Sequence, residues 1–141
     1  MTKITITELV AQLHDIADLK QEHFICFSLN SARQLIAKRT VFIGTLTGVL
    51  AHPREVYADP LADRAAAIII AHNHPSGDVQ PSKQDISMTQ QLMAAGQILG
   101  VPLDDHIIVG GKKHFSFRKQ GLISPDIYVA EEGSAHEWLR N

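Results

Sequence analysis

The sequence predicts an α/β (α+β) fold, a mixed β-sheet flanked by helices in three layers. Three observations predict it. Stretches with helical apolar spacing alternate along the chain with short strand-like runs. One run, Ala65 to Ala71, is apolar without polar alternation, which suits a strand covered on both faces. The length, 141 residues, fits one compact domain.

The elements follow in chain order. Thr5-x-x-Glu8 is a capping box. Behind it Ile6, Leu9, Val10, Leu13, Ile16 and Ala17 recur at helical spacing, predicting an amphipathic helix over 5–19. Phe24 to Leu29 reads as a strand, Asn30-Ser31 as a turn and Arg33 to Ala37 as the returning strand. Thr40 to Leu46 is β-branched and apolar, a third strand. Pro53 suits the first turn of a helix, and Pro60 is expected to interrupt that helix or split it in two. Ser82 to Leu99 carries Met88, Leu92, Ala95 and Leu99 on one stripe, and Gly100 caps its end. Val101 to Leu103 and His106 to Val109 are strand-like, Gly110-Gly111 is a turn, and His114 to Phe117 pairs back. From Ser124 the chain turns polar, and a loosely packed tail is expected. The division is an N-terminal helix over 1–20, a main domain over 21–123 and a tail over 124–141.

Composition excludes several functions. No apolar run approaches the roughly 20 residues of a membrane helix. The N-terminus lacks the basic-then-apolar plan of a signal peptide, so a cytoplasmic location is expected. The single cysteine, Cys26, sits in an apolar run and reads as a buried inert thiol; cysteine-rich zinc modules are excluded. Net charge is −2 with neutral histidines. The densest basic residues, Lys112-Lys113 and Arg118-Lys119, read as a solvated hairpin, so charge does not support a nucleic-acid partner.

Eight histidines is a high count for this length, and two of them are arranged. His72 and His74 are two apart at a strand end, so both rings project from one face. Pro75-Ser76-Gly77 ends the strand, and Asp85 falls in the first turn of the next helix. Two imidazoles and a carboxylate form a known three-ligand set for catalytic zinc, with a fourth position left for water. Ser82-x-x-Asp85 alone is an ordinary helix start, but that role does not compete, because Ser82 can cap while Asp85 binds metal.

His72-x-His74, seven residues, Ser82-x-x-Asp85 matches the JAMM signature of the JAB/MPN metalloprotease superfamily. Beyond it, His52-Pro53-Arg54-Glu55, the run His72 to Asp78, Pro81 to Asp85 and Asp105 to Gly110 resemble the bacterial RadC family, over roughly residues 20 to 123. The chain looks like the short members found on mobile elements and prophages, without the helix-hairpin-helix segment of longer ones. The resemblance implies a fold related to cytidine deaminase and His72, His74 and Asp85 as ligands of Zn²⁺. It implies a glutamate before an early core strand as general acid/base, the place of Glu22, with Glu55 as the rival. By the same analogy Ser82 stabilises a developing oxyanion. His106 is expected as a buried histidine bonded to a carboxylate; His14, His23, His52, His114 and His136 are assigned nothing. A deaminase would need Pro-Cys-x-x-Cys, which is absent, and His72-Asn73-His74 is not the dispersed pattern of an HNH nuclease. The expected function is a zinc-dependent hydrolase of peptide or isopeptide bonds in an unknown protein or peptide. The alternatives are the family's DNA-repair association or a non-catalytic, metal-stabilised interaction module. A homodimer through an exposed edge strand is also expected as an option.

Overall fold

The computed structural model describes residues 2–44 and 51–123. The elements are α1 (Ile6–Ala11), β1 (His23–Leu29), β2 (Leu35–Ile43), α2 (Pro53–Ala62), β3 (Ala67–Asn73), α3 (Lys83–Leu99), β4 (Leu103–Gly110) and β5 (Lys113–Ser116). The five strands form one sheet in the order β2-β1-β3-β4-β5. β3 and β4 are parallel, and every other neighbouring pair is antiparallel. The parallel pair needs a crossover connection, and α3 supplies it.

Period-two alternation explains the layers. Along β1, Phe24 and Cys26 face one core while Ile25, Phe27 and Leu29 face another. Along β3, Ile68 and Ile70 join the first core, and Ala67, Ile69 and Ala71 join the second. The first core is closed by Val56 and Tyr57 of α2 and Met88, Leu92 and Met93 of α3. The second is closed by Leu9 of α1 and by Leu13, Ile16 and Ala17 just beyond it. The sheet therefore has helical cover on both faces, as predicted. Each fully buried Leu or Ile contributes on the order of 1.5–3 kcal/mol, so both faces stabilise the sheet.

Four sequence expectations change. The helix expected over 5–19 ends at Ala11. The chain continues in tighter turns, with Leu13, His14, Ile16 and Leu19 each donating to the carbonyl three residues back. Those turns still bury Leu13 and Ile16, which is why the apolar spacing looked helical throughout. The two strands expected at 33–37 and 40–46 are one strand, β2, whose irregularities relative to β1 fall near its two ends. The last part of that expectation, residues 45–46, lies outside the described residues, as does the tail over 124–141. Pro60 does not break α2. It sits in the final turns, where a single backbone bond is forfeited, and its ring is buried. Of the two runs expected at 101–103 and 106–109, Val101 and Pro102 lie outside any strand, while Leu103 joins the second run in the continuous β4, because Asp104 is accommodated by a register shift opposite Ile68 and Ile69.

Cys26 is buried, and burial pushes its thiol up to about 12, so it is inert at neutral pH. Among the described residues, no helix is long and apolar enough to cross a membrane.

Candidate metal centre

The site begins at the end of β3. The strand runs two residues further than its apolar stretch suggested, so His72 lies within it and His74 immediately after. His72 falls on the same sheet face as Ile68 and Ile70, under α3, and its side chain is fully buried. Asp85 arrives from the helix. Ser82 caps α3 by accepting from Asp85 N–H at 3.0 Å, while Asp85 Oδ2 accepts from Ser82 N–H at 2.9 Å. This reciprocal box fixes the carboxylate at the helix start, where the helix dipole favours negative charge.

The donor atoms converge. Asp85 Oδ1 lies 3.3 Å from His72 Nε2, and Oδ2 lies 3.1 Å from His74 Nε2. The two Nε2 atoms are 3.0 Å apart. Glu22, just before β1, brings Oε1 to 3.5 Å from His72 Nε2. One ligand atom from each of Glu22, His72, His74 and Asp85 falls within 4.8 Å of all the others. Antiparallel pairing of Phe24 with His72 is what carries a residue fifty positions upstream to the rings.

The chemistry of this donor set calls for a cation. His74 Nδ1 donates to the Asp78 carbonyl at 2.7 Å, and a neutral ring that donates there has a bare lone pair at Nε2. That lone pair faces His72 Nε2 and two carboxylates, so a metal ion or a proton must lie between them. Burial pushes the Asp85 carboxyl up, but hydrogen bonds to His72 and His74 outweigh it and hold the group well below the ordinary carboxylate range. The hydrogen bond to Asp85 raises the His74 pKa above 6.5, against the opposing effect of burial.

Asn73, the middle residue of His-x-His, points to the opposite face. Its Oδ1 accepts from His23 N–H at 2.6 Å, and its Nδ2 donates to the Leu19 and Gln21 carbonyls at 3.2 and 3.0 Å. It thereby pins the segment that carries Glu22. Gly44 N–H adds a bond to the Glu22 carbonyl at 2.6 Å.

Of the residues singled out by sequence, the structure brings together His72, His74, Asp85 and Glu22. Glu55 is exposed in the first turn of α2 and is not part of the group. Ser82 is exposed beside it as the helix cap. His106 corrects the expectation of a carboxylate partner for its ring. The ring is wholly buried and stacks on Phe117 with centroids 4.4 Å apart. Its nitrogens meet His72 Nδ1 at 2.8 Å and Thr89 Oγ1 at 2.7 Å, and only its backbone N–H reaches Asp105. Burial drives its pKa well below 6.5, so the ring is neutral. Thr89 and Asn73 went unnoticed in the sequence. Thr89 stands four residues after Asp85, one helical turn along the same face, and that spacing was its only signal. A cavity of about 700 Å³ opens between the start of α1 and the last turns of α3 and shares no residue with the cluster.

Comparison with known proteins agrees with this arrangement. The RadC-like JAB domain matches residues 4–122. A UPF0758 protein of Bacillus licheniformis is 50% identical over 109 residues, which is 77% of this chain and 49% of the relative. The UPF0758 protein YsxA of Bacillus subtilis is 45% identical over 111 residues, 79% of this chain and 48% of the relative. A UPF0758 protein of Methanospirillum hungatei is 46% identical over 126 residues, 86% of this chain and 56% of the relative. The chain thus spans about half the length of the curated relatives it matches. A fold of this topology, a Glu-His-His-Asp cluster at its strand-to-helix turn and a match across most of its length establish that the chain belongs to the RadC-like JAB domain family.

Proposed function

We propose that the chain is a zinc-dependent hydrolase of peptide or isopeptide bonds. The observation that carries the reading is the convergence of four donor atoms within 4.8 Å at a strand-to-helix turn. His72, His74 and Asp85 would hold the ion, and their two-nitrogen, one-carboxylate set suits Zn²⁺. Bound there, zinc supplies a Lewis acid and brings the pKa of a water toward ~7.

The chain's own residues divide the remaining work. Glu22 is half-buried and held from both sides, by Asn73 through its flanking backbone and by Gly44. Its carboxylate takes the proton of the attacking water and returns it to the leaving nitrogen. Ser82 spends a lone pair on Asp85 N–H and keeps its O–H to donate to an oxygen on which negative charge develops. The substrate is a protein or peptide, acted on in the cytoplasm. A net charge of −2 gives a nucleic-acid partner no support.

Metal analysis and turnover of a model isopeptide test the reading together. The parent is expected to hold one zinc per chain, and His74→Ala to lose it. Glu22→Gln is expected to keep the metal and lose ~10²–10⁴-fold in rate. Metal content unchanged by His74→Ala would sink the ligand assignment, and a Glu22→Gln rate equal to the parent's would move the base elsewhere. Zinc retained with no cleavage by the parent would favour the metal-stabilised interaction module.

A further inference from the structure

The geometry points to His106 and Thr89 as positioning residues that decide which nitrogen of His72 carries a proton. The inference rests on the reading of His72 as a metal ligand, and for neutral rings, as full burial of both requires, the chain of donors and acceptors has one solution. Thr89 Oγ1 lies 2.7 Å from the Asp85 carbonyl, which can only accept, so the single hydroxyl proton is donated there. The same oxygen lies 2.7 Å from His106 Nδ1 and has only lone pairs left, so Nδ1 of His106 must carry a hydrogen. A neutral ring protonated at Nδ1 accepts at Nε2. His106 Nε2 lies 2.8 Å from His72 Nδ1, which must therefore donate. A neutral His72 that donates at Nδ1 offers its Nε2 lone pair to an ion at the atom that faces His74, Asp85 and Glu22.

Every member of the relay is buried, so water cannot substitute for a missing partner: His72, Thr89 and His106 all lie in the interior. The relay also starts and ends on ligands, since the carbonyl that anchors it belongs to Asp85. It does for His72 what the Asp78 carbonyl does for His74. The partner of a metal-bound histidine is usually a carboxylate or carbonyl, and here a second, neutral histidine takes that place. A neutral partner has two tautomers of which one is wrong, and Thr89 is what excludes the wrong one. Sequence spacing shows why both are available: Thr89 is one turn past Asp85, and His106 pairs with Ile70, two residues before His72 on the same face of the sheet.

The test uses the full chain, labelled with ¹⁵N and freed of metal with a chelator. Long-range ¹H–¹⁵N spectra of the imidazoles are expected to show His72 and His106 both protonated at Nδ1. Zinc affinity is then measured by competition with a chromophoric chelator. Thr89→Val, which keeps the shape and removes the hydroxyl, is expected to weaken zinc binding about tenfold or more, and Thr89→Ser to restore it. A His106 ring protonated at Nε2 in the parent would overturn the inference, whatever the variants do. So would a Thr89→Val chain that binds zinc as tightly as the parent, or a Thr89→Ser chain as weak as Thr89→Val. If the parent shows both Nδ1 protons yet takes up no zinc, the tautomer assignment stands and the metallohydrolase reading fails instead.

Discussion

The end of β3 serves two purposes, because its residues point alternately to two faces. His72 and His74 look toward α3 and supply imidazole nitrogens. Asn73 looks toward the other core and ties down the backbone on either side of Glu22. Asn73→Ala takes the side-chain partner from the half-buried His23 N–H and from the Leu19 carbonyl, at a cost of about 1 kcal/mol, while the Gln21 carbonyl keeps the His23 ring at 3.0 Å. It should also release Glu22 from the rings without touching a metal donor. Turnover is therefore expected to fall while zinc content holds, and metal analysis beside a rate measurement checks that split. His72 and His74 were legible in the sequence because a two-residue spacing has one meaning on a strand. Asn73 was not, since its partners at Leu19, Gln21 and His23 are set by how a distant turn packs.

At the scale of elements, α3 does the most. Its first turn presents Asp85, its second presents Thr89, and its middle packs Leu92 and Met93 on the sheet. The helix approaches closely because Gly96 has no side chain. A Cβ there would sit 2.3 Å from the Tyr57 hydroxyl and 2.6 Å from the Val101 carbonyl. The Tyr57 hydroxyl is itself bonded to Val101 O at 2.9 Å, so it has little freedom to move aside. Gly96→Ala is expected to destabilise the fold by about 1–3 kcal/mol, read as a lower midpoint in urea. The limits of α3 were readable from Ser82, Asp85 and Gly100, because caps are local chemistry. The early end of α1 and the fusion of β2 were not. Burial on one side of a turn repeats nearly as burial on one side of a helix does, and β-bulges leave no composition signal.

For the whole molecule, the sheet's two cores hold the rings from one side and Glu22 from the other, so folding assembles the site before any ion arrives. Metal and proton then compete for the same lone pairs. In the metal-free protein the raised pKa of His74 gives a stabilising proton. That contribution is fully present below the unfolded value near 6.5 and is lost as pH rises through the raised folded value. On the proposed reading zinc replaces the proton, so its effect runs the other way. The gain in Tm on adding zinc is expected to grow between about pH 6 and about pH 8, a trend that thermal scans at fixed zinc concentration would check. A gain that shrank over that range would mean the ion binds elsewhere. The three-layer fold and the clustering of His72, His74 and Asp85 were both legible at this scale, since a strand, a turn and a capped helix lie together in sequence. The approach of Glu22 rested on resemblance until the pairing of β1 with β3 brought it to His72.

The atoms around the bound ion are what the proposed function stands on. X-ray absorption at the zinc edge of the loaded chain reads them directly. Two imidazole nitrogens and carboxylate oxygen are expected at ~2.0–2.2 Å, with one imidazole lost in His74→Ala. A shell containing sulfur, a shell of oxygens alone, or a spectrum unchanged by His74→Ala would contradict that assignment.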